Sequence, residues 1–172
     1  MKTSRTALMF AFSALLAGKL LAPTPANAAT PDDDKQFLSM AAQSDTNEIK
    51  LSELAETKAS SPQVKAFARK MVADHNKLEM QMKPFATKWN VVPPTGPDAD
   101  HQATYDRLNG LSGSDFDKAY MTAMAQDHHK ALDAFTSEAQ STQDPKFKAA
   151  VLKGKTVVAS HTTMADSLQN KM

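Results

Sequence analysis

Two segments of the sequence, 53 residues apart, each centre on an adjacent Asp and His. One runs from Ala66 through Phe67 and Met71 to Asp74-His75 and Lys77. The other runs from Ala119 through Tyr120 and Met124 to Asp127-His128 and Lys130. Alanine, aromatic, methionine, Asp, His and Lys recur in register. Both segments have helical periodicity, and both histidines fall on or beside the apolar stripe. A buried imidazole is costly without a partner, so these positions are where chemistry would sit. Two further ionisable groups lie on apolar stripes elsewhere: Glu48, between Ala41 and Leu51, and His161, between Val158 and Ala165. One carboxylate and three imidazoles suit zinc, iron, copper or manganese by ligand type. Under that reading Glu48, His75, His128 and His161 are the ligands, and Asp74 and Asp127 orient imidazoles from behind. A metal-free Asp-His hydrogen-bond network and direct catalysis are the two alternatives.

Four long helical segments must carry these groups. The first starts near Asp33, with Gln36 placed to complete a capping box. The second starts at Ser61-Pro62, an N-cap followed by proline at the first helical position. The third starts at Ser114 with acidic residues in its first turn, and the fourth at Asp144-Pro145. Gly154 inside the fourth marks a close helix approach. Short joins at 59–61 and 141–143 make two antiparallel hairpins. A long link, about 90–113, holds Pro93-Pro94 and a small helix over 98–108, and it can run the length of a bundle. The predicted fold is therefore all-α: a ferritin-like four-helix bundle, two antiparallel hairpins joined by a long crossover with a short helix.

Register places the polar groups at similar depth. Glu48 lies 13 residues before Ser61 and His75 lies 14 after it. His128 lies 15 before Gln143 and His161 lies 18 after it, a mismatch of roughly 4.5 Å at 1.5 Å per residue. The Glu-x-x-His motif of di-iron bundles is absent, because Val72 stands three before His75 and Val158 three before His161. That counts against a metal-dependent oxidoreductase. No Gly-rich phosphate loop, nucleophile elbow or His-Glu-x-x-His is present, so no enzyme class is indicated. His101 in the crossover and His129 on the outer face read as solvated, and Trp89 as the residue closing a bundle end.

Residues 1–28 read as a cleavable export signal. Lys2 and Arg5 precede an apolar run from Ala7 to Ala17, and Ala26-Asn27-Ala28 is a small-residue cleavage site. The run is too short to span a bilayer, and no later stretch could. Cleavage leaves residues 29–172 as one bundle domain. The leader takes three of the 20 basic residues and none of the 19 acidic, so the mature net charge is −2, which argues against nucleic acid as a partner. With no cysteine, there are no disulfides, no thiol chemistry and no N-terminal lipid. The expected location is the periplasm, with outer-membrane association and a protein partner in the envelope left open.

Phe37-Leu38 with Ala41-Ala42, the stretch Glu48 to Ala55, Val64 to Ala68 leading to Met71 to His75, Leu111 to Met121, and Asp127-His128 together resemble the exported domain of unknown function 4142 family. The resemblance covers about residues 35–170. It implies a ferritin-like bundle exported by bacteria and brings no established activity. It marks Glu48, Asp74, His75, Asp127, His128 and His161. The fourth helix departs from the pattern: a Leu-Pro step is expected before its histidine, where this chain has Thr156 to Ser160.

Overall fold

The computed structural model describes residues 29–172. The predicted leader, residues 1–28, lies outside the described residues. Five helices follow in order, α1 Pro31–Lys58, α2 Pro62–Trp89, α3 Ala99–Asn109, α4 Gly113–Ser141 and α5 Pro145–Gln169. There is no strand among the described residues.

Local chemistry sets the helix starts. Thr30 caps α1, and its capping box closes on the Asp33 carboxylate rather than on Gln36. Asp33 is the residue three beyond the cap, so the shorter side chain wins on position. Ser61 and Asp144 cap α2 and α5, each ahead of proline. Asp98 caps α3. The helix expected at Ser114 begins one residue earlier, at Gly113, whose φ of 59° lies in the region glycine enters without cost.

The helices pair as two hairpins, α1 with α2 and α4 with α5; α1 also packs on α4 and α2 on α5. The crossover carries the chain from the C-terminus of α2 to the far end of the bundle. There Lys58 at the end of α1 donates to the Asn109 carbonyl. Asp117 accepts from the backbone N–H groups of Ser60 and Ser61 at 2.9 and 2.8 Å. At the opposite end, Ala29 N–H donates to Ser141 C=O. Every lateral neighbour is thus antiparallel, the predicted ferritin-like arrangement. Along this frame α3 lies against α1 and α4.

Two apolar cores fill the bundle. One is built from Leu51, Phe67, Met71, Phe116, Tyr120 and Met124, the other from Phe37, Leu38, Phe135, Phe147 and Val158. In the second, Gly154 lets the Phe135 ring approach α5: a Cβ there would stand 2.5 Å from Phe135 Cε1. Trp89 packs on Phe85 and Phe147 at that end, as the sequence predicts. On every long helix the residue between the two cores is polar: Glu48, His75, His128 and His161. The bundle is two apolar plugs separated by one ionisable layer.

Candidate metal centre

Each of the four side chains in that layer is almost wholly shielded from solvent. The three imidazole centroids are 5.2 to 5.7 Å apart. One ring nitrogen from each histidine lies within 4.8 Å of one from each of the others. The sequence register left His128 and His161 apart in height, yet they meet. Helical side chains lean toward their own N-terminus. His161, the farther from the α4–α5 turn, leans toward that turn, and His128 leans away from it. The two leans close the gap, and the same geometry brings Glu48 and His75 together.

Each ring is anchored through one nitrogen. His75 Nδ1 donates to Asp45 Oδ1 at 2.7 Å. His128 Nδ1 donates to the Met124 carbonyl at 2.9 Å, one turn back on its own helix. His161 Nε2 donates to Asp74 Oδ2 at 3.1 Å. The other three nitrogens, Nε2 of His75 and His128 and Nδ1 of His161, have no hydrogen-bond partner. Glu48 Oε2 stands 3.0 Å from His75 Nε2 and 3.7 Å from His128 Nε2. The nearer contact is close enough for charge attraction but not aligned as a hydrogen bond, so both nitrogens remain unsatisfied. In a neutral imidazole, fixing one nitrogen as N–H leaves the other as a lone pair, and on a protonated ring a bound ion takes the place of the second proton. Three buried nitrogens that face one another without a protein partner fit a cation.

The protonation states follow from the same contacts. Burial alone would raise Glu48, but His128 and then His75 pull its carboxyl down to about 2. Burial alone would lower His75; Glu48 and Asp45 outweigh it and push the imidazole up to about 10. Burial drives His161 down to about 4, helped by its two neighbouring histidines and opposed by Asp74, so it stays neutral. Asp74 is held below the usual carboxylate range: burial pushes the other way, but Lys70, His161 and Lys77 outweigh it. In the metal-free protein, then, a proton on His75 balances Glu48.

The structure sorts the predicted residues. Glu48, His75, His128 and His161 share one layer, and Asp74 bonds the imidazole of His161. Asp127 does not reach that layer. Consecutive helical residues point about 100° apart, and with His128 directed inward, Asp127 turns to the crossover and meets His101 Nε2 at 3.3 Å. His101, read as solvated, is half-buried between Asp127, Asp98 and Asn47. His129 is exposed as expected and pairs with Asp166. Sequence reasoning missed Asp45. Its only signal is helical spacing, one turn before Glu48, in a stretch with several other polar residues. Asn47, which ties α1 to Asp98 at 2.8 Å, was equally silent.

A family described as "Domain of unknown function (DUF4142)" matches residues 20–168. The chain belongs to this family. No curated protein matches the sequence. Among solved structures this DUF4142 chain is similar to a DUF305 fragment from Deinococcus radiodurans, with a TM-score of 0.72 and 14% identity over 84% of this chain and 99% of that one. It is also similar to CopM in its Cu(II)-bound form, with a TM-score of 0.68 and 20% identity over 80% and 96% of the two chains. A two-domain protein from Anabaena variabilis, with DJ-1/ThiJ/PfpI-like and ferritin-like domains, gives a TM-score of 0.62 and 13% identity over 84% of this chain and 38% of that one. At these identities the likeness is one of fold. Among the described residues, His75, His128 and His161 are the one group of metal-ligating side chains placed to share an ion. No helix among them is long and apolar enough to cross a membrane.

Proposed function

We propose that this DUF4142 protein is an exported periplasmic bundle that binds a transition-metal ion between its two apolar cores. His75 Nε2, His128 Nε2 and His161 Nδ1 are the donors, and Glu48 is the carboxylate that joins them or balances their charge. One observation carries the reading. Three buried imidazoles each have one nitrogen anchored and the other unpartnered, with the rings converging. A purely structural network would leave no such set, since buried polar groups are ordinarily satisfied. Imidazole donors fit zinc, iron, copper and manganese sites. The fold shared with a protein described in a Cu(II)-bound form supports trying copper first. An ion here would supply positive charge to a layer that otherwise holds a proton.

The deciding experiment is metal analysis of the mature chain purified from its own compartment without chelator. Near-stoichiometric metal, lost in both His75→Ala and His128→Ala, is the expected result. Equal metal in wild type and both variants would overturn the assignment. Wild-type protein that neither holds nor takes up any of the four metals would leave the metal-free network as the function of the layer. That network has an observation of its own behind it, the His75 imidazole held between Asp45 and Glu48.

A further inference from the structure

A cavity of about 430 Å³ opens beside the ionisable layer, and both His75 and Glu48 line it. Its wall is largely apolar: Phe37, Ala41, Ala134, Phe135 and Val158 from α1, α4 and α5. At its outer end stands Met40, which is exposed. The chamber therefore runs from the surface to two of the four groups that would hold an ion. A site that serves only to lock an ion in place is closed on all sides by protein, whereas a reactive one keeps a coordination position that an outside molecule can reach. Polar side chains stand at both ends, Asp45 with His75 and Glu48 inside and Asp98, His101 and Asp127 outside, and a chamber of this size with apolar walls and a few polar groups is the usual form of a small-molecule site.

Resting on the metal reading above, we propose that this chamber is a binding site for a small organic molecule with an apolar body and one metal-coordinating head. The head binds the ion beside His75 and Glu48, and the body lies against Phe37, Phe135 and Val158. The centre is then open to an exogenous ligand. Polar contacts at the mouth come from Asp98, His101 and Asp127, which also join α3 to the chamber rim. The occupant's class follows from the wall: uncharged or singly charged, with a ring or short branched chain.

The test uses the mature protein loaded with Cu(II), with two probes, azide and 4-phenylimidazole, followed by the visible spectrum. Both should shift the copper bands of the wild type. Ala134→Trp fills the chamber from α4. It should keep its copper and its azide response but bind 4-phenylimidazole roughly fivefold or more weakly, the least that overfilling a packed space costs. Ala131→Leu, a smaller intrusion from the same helix, serves if the tryptophan variant does not fold, which circular dichroism will show. A wild type that takes up no copper overturns the choice of copper and the chamber with it, and one that also takes up no zinc, iron or manganese overturns the metal reading as well. Copper-loaded wild type that is silent to both probes overturns the chamber alone, as does undiminished 4-phenylimidazole binding in a folded, filled variant.

Discussion

The same dipeptide, Asp-His, occurs on α2 and on α4, and the two copies do different work. On both helices the histidine enters the ionisable layer. On α2 the aspartate swings toward α5 and holds His161, while on α4 it swings toward α3 and holds His101. The difference comes from what lies beside each helix. The flank of α2 that carries Asp74 faces α5, and the flank of α4 that carries Asp127 faces the crossover. A repeated motif thus guarantees a repeated inward residue and says little about the outward one.

The largest effect should come from removing the inward residues in the absence of metal. His75 sits between two buried carboxylates, so His75→Ala leaves Asp45 and Glu48 uncompensated, a loss of about 3–5 kcal/mol. His128 is anchored to the Met124 carbonyl and meets Glu48 only at 3.7 Å, against 3.0 Å for His75, so His128→Ala should cost less, about 2 kcal/mol, mostly as a cavity. Chemical denaturation of the two apo variants would show the gap. Equal losses would mean that the two histidines are energetically alike and that the Asp45–His75–Glu48 chain is not an ion pair.

The outward residues should separate more sharply. Asp74→Ala frees His161 to turn or change tautomer, and metal affinity should fall about 10- to 100-fold. Asp127→Ala should leave affinity within about twofold, because no ring of the layer depends on it. It should instead loosen α3 and cost about 1 kcal/mol, the worth of one partly buried hydrogen bond. Metal titration and thermal melting of both variants check this. Comparable affinity losses would place Asp127 back among the residues that orient the ligands.

The contrast also marks how far the sequence could be read. α1, α2, α3 and α5 announce their starts through a cap or a proline, α4 only through the acid in its first turn, and the stripe of each long helix shows its polar interruption, so the fold and the four inward residues are legible from Phe37 to Ala165. Inward position depends only on helical period, which is local. Partnership depends on which neighbour covers a flank, which is not. Hence the sequence does not single out Asp45 or Asn47 and reads His101 as solvated, although all three are fixed by contacts between helices. The lean that brings His128 level with His161, by contrast, follows from the antiparallel pairing that the short join at 141–143 already predicts.

A smaller effect should follow from Gly154, which supports both halves of the layer through the second apolar core. Gly154→Ala gains about 1 kcal/mol of helix propensity. It also drives a methyl group into the Phe135 ring, whose neighbours Phe37 and Val158 leave it little room. Overpacking of this kind costs about 1–3 kcal/mol. The net should be a destabilisation of about 1 kcal/mol, read from the melting temperature, with the difference between the Asp74 and Asp127 variants preserved. A variant more stable than wild type would mean that the ring can move aside.

The weakest effect sharpens the comparison from another direction, by asking what a buried carboxyl does when its partner is a second carboxyl instead of an imidazole. Glu138 on α4 stands against Asp34 on α1, and Asp34 also accepts from Thr142 at 2.9 Å. Asp34 Oδ1 and Glu138 Oε1 have no donor unless one of the two acids keeps a proton. Burial first, and then Asp34, push the Glu138 carboxyl up to about 7. In the unfolded chain it returns to about 4.5. Below that value both states are protonated and the pair costs nothing. Between about 4.5 and 7 the folded state holds a proton that the unfolded state has released, so stability falls as pH rises. Glu138→Gln cannot ionise and its amide can donate to Asp34. Its melting temperature should therefore gain on wild type steadily from pH 4.5 to 7 and level off above. A difference that stays flat across that range would show that Glu138 is ionised in the folded protein.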